Sequence, residues 1–134
     1  MGDIAETDID ILIKNMEPIL KDGVYVFHSS DMNFSEASKL DPIMIFRENE
    51  GTALILKKEM ADQAKLDYIY TSRMITLNVH SSLDAIGFLA KITTALANGG
   101  ISVNPVSAYF HDHLFVPVDK ADLAMKVLIE LTDI

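Results

Sequence analysis

Hydrophobic and polar positions follow a helical period at the start of the chain. Residues 8–20 predict an amphipathic helix, with Thr7 as its N-cap and Pro18 as a local disturbance near its end. Lys21-Asp22-Gly23 is the expected stop of this helix. The apolar face of the predicted helix consists of Ile9, Leu12, Ile13, Met16 and Ile19.

The next residues switch to patterns typical of strands. "VYVFHSS" (24–30) predicts a strand because it is rich in aromatic and β-branched residues, whereas residues 31–41 show no period and predict a loop. "PIMIFRENEGTALIL" (42–56) predicts a hairpin, since two apolar runs flank a turn that ends at Gly51. Residues 58–66 then predict a short helix.

The second half of the chain has the clearer pattern and predicts the order β-α-β-β-α. A strand over 73–79 leads to a helix over 85–98, a strand over 101–109, a tight turn at 110–112 and a strand ending near Val118. Asp119 is the expected cap of a final helix lying on a sheet. The residues that this helix should bury are Leu123, Ala124, Val127, Leu128 and Leu131.

The two halves look like degenerate copies of one unit. "KDGVYVF" parallels "NGGISVN", and "LILKKEMADQAK" parallels "LFVPVDKADLAMK". We therefore predict one unit over residues 1–66 and a clearer one over 67–134. The first lacks a leading strand and the second lacks a trailing strand, so the pattern leaves open which strand completes each unit.

Composition and charge narrow the class of protein. The chain has 134 residues, of which 49% are hydrophobic, enough for a buried core. Its net charge of -9 would repel a phosphate backbone, so no nucleic-acid partner is expected. Residues 1–6 carry acids where a secretory signal would carry bases, and no apolar run is long enough for a membrane span. We expect a cytoplasmic protein.

The sequence offers little that could support catalysis or metal binding. With no cysteine, disulfides, thiolate metal sites and cysteine nucleophiles are excluded, and neither a nucleophile elbow nor a phosphate-binding loop is present. His111-Asp112-His113, with His80 and His28 elsewhere, has the ligand types of a transition-metal site. The same triplet also suits a solvated hairpin turn, and we favour the turn because the first half has no second copy. We expect no enzyme, no metal and no cofactor.

The segment "DAIGFLAKITTALANGGISV" (84–103) places Gly87 in the first turn of a predicted helix. Glycine costs a helix interior about 1 kcal/mol relative to alanine, so this position is expected to need something that a side chain would block. One interpretation is a ligand close to the backbone of the helix N-terminus. The other is a capping Asp84 and a glycine packed against a neighbouring strand.

Four stretches together resemble the ACT domain family, and specifically small bacterial proteins in which two ACT units are fused. They are "MITLNV", "SSLDAIGFLAKIT", "NGGISVNPVSAY" and "FHDHLFVPV". The resemblance implies an α+β fold of two ferredoxin-like βαββαβ units, with antiparallel sheets and helices on one face. It also implies amino-acid binding at a loop with an acid and a glycine, which Asp84 and Gly87 match, although Ile86 stands where the family often has proline.

These observations predict a regulatory protein that binds a small molecule, namely an amino acid. The expected partners are the amino acid, a second copy in a homodimer, and a regulated protein. The alternative is a dimerisation or protein-interaction module that binds no ligand. The predicted ligand-binding residues are Asp84, Ala85, Ile86, Gly87, Phe88, Ser102, Val103 and Asn104.

Overall fold

The structure is a computed structural model that describes residues 7–133. Residues 1–6, whose acidic side chains argue against a secretory signal, lie outside the described residues. The chain forms two compact units: a central unit of residues 22–73, and a terminal unit that joins residues up to Lys21 with those from Met74 onward. The predicted boundaries of 1–66 and 67–134 differ from this division, since they place the N-terminal segment with the first unit. Among residues 7–133, no helix has the length and apolarity to cross a membrane.

The central unit is a complete βαββαβ unit whose strands lie in the order β3-β4-β2-β5. The predicted hairpin is confirmed, because β3 and β4 pair antiparallel from Met44 opposite Ile55 to Glu48 opposite Gly51. Its core joins alternate strand residues to Ala37 and Ala61 of the two helices, so both helices cover one face. Its elements are β2 (Tyr25–Ser30), α2 (Phe34–Ser38), β3 (Met44–Glu48), β4 (Gly51–Lys57), α3 (Lys58–Gln63) and the beginning of β5 (Ile69–Asn78).

The predicted loop over 31–41 is wrong, since it contains the short helix α2. A capping box begins this helix: Asn33 Oδ1 accepts from the Glu36 N–H at 2.8 Å, and Glu36 Oε1 accepts from the Asn33 N–H at 3.1 Å. Spacing of Asn and Glu three residues apart is a known helix-start pattern. The helix is too short to show an apolar period, which is why periodicity missed it.

The terminal unit has the same strand order, β1-β5-β7-β6, but takes one strand from the start of the chain. Its core lies between α1, α4 and α5 and the helix-facing side of β5 and β7, so its helices also cover one face. Its elements are α1 (Ile9–Asn15), β1 (Glu17–Leu20), the end of β5, α4 (Phe88–Asn98), β6 (Asn104–Ser107), β7 (Asp112–Pro117) and α5 (Ala121–Thr132).

Strand β1 is the strand that the second half of the sequence lacks. The predicted helix over 8–20 ends at Asn15, and Glu17–Leu20 instead pair antiparallel with β5, Glu17 opposite Asn78 and Leu20 opposite Ile75. Pro18 is compatible with a strand that pairs on one side only. The terminal unit is therefore completed by a strand that precedes the whole central unit in the sequence, and the predicted fold of two ferredoxin-like units is confirmed.

Several helix ends differ from the prediction. The N-cap of α1 is Asp8, whose Oδ1 accepts from the Asp10 and Ile11 N–H groups at 3.0 and 3.2 Å, and not Thr7. Asp119 is not a cap either, because it lies in a single 3₁₀ turn, Val118–Lys120, ahead of α5. On α5, Ala124 and Leu128 are buried as predicted, but Leu123 is 40% exposed.

Candidate functional site

The glycine that raised the question of a ligand lies just before α4 and not inside it. Gly87 is the N-cap of α4 with φ of 92°, a left-handed conformation that side chains disfavour. A Cβ at this position would lie 2.9 Å from Ile9 Cδ1. The nearest neighbour of a side chain at residue 87 is thus Ile9 of α1, and not a strand as in the packing interpretation.

The loop around Gly87 also forms one wall of a cavity of about 270 Å³. The cavity lies within the terminal unit, between the loop that follows β5, the first turn of α4, and the hairpin of β6 and β7. Gly87 therefore has Ile9 on one side and an open cavity on the other. The lining residues are 81–83, 85, 87–90, Ser107, Ala108 and Asp112.

A buried carboxylate forms the polar part of this cavity. Asp112, at the start of β7, is 8% exposed and accepts hydrogen bonds from Ser107 Oγ at 2.6 Å and from Ser81 Oγ at 3.4 Å. Ser107 and Asp112 are register partners across the hairpin. Because side chains alternate along a strand, Asp112 shares its face with Leu114 and Val116, which belong to the helix-covered core.

Asp112 does not lie in a turn. The sequence predicts a solvated turn at 110–112, whereas Asp112 is a buried strand residue. Its alternation with Leu114 and Val116 is visible in the sequence and was the available signal. The strand predicted over 101–109 is also shorter, since β6 covers only Asn104–Ser107.

The predicted ligand-binding residues fall into three places. Ala85, Gly87 and Phe88 line the cavity. Asp84 and Ile86 lie instead at a second depression of about 500 Å³ that also contacts Asp8, Asp10 and Lys91. Ser102, Val103 and Asn104 line neither of these two spaces. Asp84 does not cap α4, because Gly87 holds that position, and its own N–H donates to Ser82 Oγ at 3.0 Å.

The histidines do not gather into a metal site. No group of three or more potential His, Asp or Glu ligands is found within the described part of the chain. His113 Nδ1 lies 2.9 Å from Thr76 Oγ1, and the His111 and His113 rings lie 6.3 Å apart between centroids. In the central unit, His28 Nδ1 lies 2.6 Å from the Asp67 carbonyl oxygen.

The electrostatics of the hairpin favour a neutral His113. Partial burial lowers the pKa of this imidazole below its ordinary value of 6.5, and the nearby His111 and Lys21 lower the pKa further. The neighbouring Asp112 carboxylate acts in the opposite direction and is the weaker influence compared with burial. These influences together favour the neutral form of the His113 imidazole.

Comparisons with protein families assign both halves of the chain to one family. An ACT domain model matches residues 4–73, and a second ACT domain model matches residues 70–130. The chain belongs to the ACT domain family. ACT domains are regulatory domains that bind small molecules, so membership supports a ligand-binding regulatory role. No match was found among curated proteins.

Solved structures show the same ACT fold over nearly the whole chain. A Vibrio cholerae protein, described as of unknown function and a possible transport protein, is 41% identical with a TM-score of 0.85, covering 92% of this chain and 94% of that one. An Agrobacterium tumefaciens protein is 15% identical with a TM-score of 0.67, covering 87% and 89%. The ligand-free regulatory subunit of aspartate kinase from Thermus thermophilus is 14% identical with a TM-score of 0.64, covering 87% and 96%.

Proposed function

We propose that this ACT protein is a non-catalytic regulator that binds a free amino acid in the cavity of its terminal unit. The observation that carries the proposal is the N-terminus of α4, which opens into a cavity of about 270 Å³ beside a glycine N-cap. Family membership and the fold shared with a regulatory subunit of aspartate kinase support a regulatory role.

The start of α4 suits the carboxylate of an amino acid. The Lys91 N–H donates to the Gly87 carbonyl at 3.0 Å, which is the first hydrogen bond of the helix. The three preceding N–H groups, of Phe88, Leu89 and Ala90, have no acceptor within a helix and belong to residues that line the cavity. A helix N-terminus also carries the positive end of the macrodipole, which favours an anion.

The site differs in part from the one expected from the sequence. Ala85, Gly87 and Phe88 remain proposed ligand-binding residues because they line the cavity. Asp84, Ile86 and residues 102–104 line other surfaces and stay predictions that substitution tests. Gly87→Leu is a poor probe of the pocket, since the φ of 92° and the 2.9 Å approach of Ile9 would strain the loop in any case.

Regulation would follow from a population shift. A ligand bound at the β5–α4 loop stabilises one arrangement of that loop, and a protein partner that recognises this arrangement then binds more tightly. We further propose a cytoplasmic homodimer, in keeping with the expectations from the sequence.

Thermal unfolding in the presence of each of the twenty standard amino acids at millimolar concentration tests the proposal. A ligand that prefers the folded state raises the unfolding midpoint by mass action. We expect one amino acid, or a few related ones, to raise it. A folded protein whose midpoint no amino acid changes would contradict the proposal and favour an interaction module that binds no ligand.

A matched pair of substitutions locates the binding site. Ala108 lines the cavity in the turn between β6 and β7, whereas Ala97 is exposed on α4 and does not line it. Ala108→Leu should weaken the affinity for the amino acid by about tenfold, because the larger side chain occupies the cavity. Ala97→Leu should leave the affinity unchanged. Equal binding by both variants would place the ligand elsewhere.

A further inference from the structure

We infer that Asp112, with Ser107 and Ser81, binds the ammonium group of the ligand, which restricts the ligand class to small zwitterionic α-amino acids. The inference rests on the proposed function, because it assigns the second pole of the same cavity. Its basis is the buried Asp112 carboxylate, which lines the same cavity as the α4 N-terminus and has the opposite charge.

The burial of Asp112 is costly unless a cation compensates it. Asp112 is only 8% exposed, and removing a carboxylate from water is unfavourable unless hydrogen-bond donors or a cation replace the water. Two serine hydroxyls donate to it, at 2.6 Å from Ser107 and at 3.4 Å from Ser81. Hydroxyl donors orient the carboxylate but leave its charge unbalanced.

The charged groups around Asp112 do not supply that balance. Within residues 7–133, no lysine, arginine or histidine forms an ion pair with Asp112. The adjacent His113 lies on the opposite face of β7, and its partial burial lowers its pKa and so favours the neutral imidazole. An ionised carboxylate has room for about four donors, so two sites remain for a ligand after the serines.

A primary ammonium group suits the remaining acceptor positions of the Asp112 carboxylate. It brings a positive charge and three N–H donors, and it makes charge-assisted hydrogen bonds with a carboxylate. With the α4 N–H groups lining the same cavity, the two charged groups of an α-amino acid each find a partner of opposite sign. The cavity of about 270 Å³ lies just under the range of drug-sized ligand pockets, which favours a small side chain.

The test compares ligands that differ only at the amino group. Calorimetric titration is done with the amino acid that raises the unfolding midpoint, with its 2-hydroxy acid and with its N-acetyl derivative. The wild-type protein should bind the amino acid and bind both analogues at least about tenfold more weakly, because a buried hydrogen bond to a charged group is lost. Equal binding of the amino acid and the 2-hydroxy acid would overturn the inference.

Substitutions then show whether Asp112 is responsible. Asp112→Asn keeps the shape but loses the charge, so its affinity for the amino acid should fall by about tenfold or more, with little discrimination against the 2-hydroxy acid remaining. Asp119→Asn is the matched control at an exposed acid of the same unit that does not line the cavity, and it should bind like the wild type. Unchanged binding by Asp112→Asn, or an equal loss in Asp119→Asn, would overturn the inference.

Controls separate this inference from the proposed function and from folding. A wild-type protein that binds no amino acid would overturn both, whereas one that binds amino acids without using Asp112 would overturn the inference alone. Ser107→Ala keeps the Asp112 charge, so it should bind more weakly yet still reject the 2-hydroxy acid, which a purely structural role would not predict. Binding of K⁺, Mg²⁺ or Ca²⁺ that requires Asp112 and competes with the amino acid would reassign the carboxylate to a metal ion.

Discussion

A Cβ placed on Gly87 would lie 2.9 Å from Ile9 Cδ1, so a side chain at residue 87 requires the end of the Ile9 side chain to move. The two residues are far apart in the sequence and lie in the same unit. Gly87 also has φ of 92°, so two effects favour glycine at this position: the left-handed backbone and the packing of Ile9. The two effects can be separated experimentally.

Gly87→Ala should destabilise the protein by about 1–2 kcal/mol through the left-handed backbone alone, and by more when the contact with Ile9 is included. In an Ile9→Ala background the contact is removed while the backbone cost remains. The substitution should therefore cost less in that background, by about 0.5 kcal/mol or more, in a double-mutant cycle measured by urea unfolding. Strictly additive effects would show that Ile9 does not limit residue 87.

Leu12→Ala should destabilise the terminal unit by about 2–5 kcal/mol, because Leu12 is fully buried in its core. Ile11→Ala, at a neighbouring residue that is 45% exposed, should change the stability by less than about 0.5 kcal/mol. Native-state hydrogen exchange should show faster opening of α4 and α5 in Leu12→Ala. Faster exchange confined to the hairpin of β3 and β4 would contradict the grouping of the N-terminal segment with the terminal unit.

His113 should make the protein less stable in acid. Burial lowers the pKa of this imidazole in the folded state below its ordinary value of 6.5, so the unfolded chain takes up a proton first as the pH falls. The neutral His113 therefore leaves the folded state at full stability above pH 6.5. Stability is lost as the pH falls from 6.5 toward the lowered pKa of the folded state. His113→Gln should reduce the slope of unfolding free energy against pH between pH 7 and 5. An unchanged slope would mean that another group causes it.

Asn33→Ala should destabilise the central unit by about 1 kcal/mol, because it removes the acceptor at 2.8 Å from the Glu36 N–H at the start of α2. Asn33→Asp retains an acceptor at the same place and should preserve most of the stability. Chemical denaturation of the three proteins provides the comparison. Equal losses in both variants would show that the capping hydrogen bond is not the cause.

The sequence predicted elements best where a local pattern was long or had strong turn residues. The sequence predicts the hairpin over 42–56 with its turn, and it predicts all of α4, although the predicted helix begins three residues too early at residue 85. Two short elements were missed for different reasons. With five residues, α2 is too short to show a helical period. The residues of β1 were read as helix because Ile19 continues the apolar spacing of the helix before it. Local patterns also misplaced Asp112, because a polar triplet that reads as a turn can begin a buried strand.

Sequence alone determined the resemblance to the ACT family, the repetition of one unit, the acidic charge and the glycine at the start of a predicted helix. Tertiary structure decided that Glu17 pairs with Asn78, that Ile9 contacts Gly87, and that Asp112 lies in the same cavity as the start of α4. The physical reason is that helix and strand periods depend on neighbours within a few residues, while strand pairing and burial depend on residues that meet only after folding. The cavity is of the second kind, because the start of α4 and a carboxylate from a separate strand line the same space.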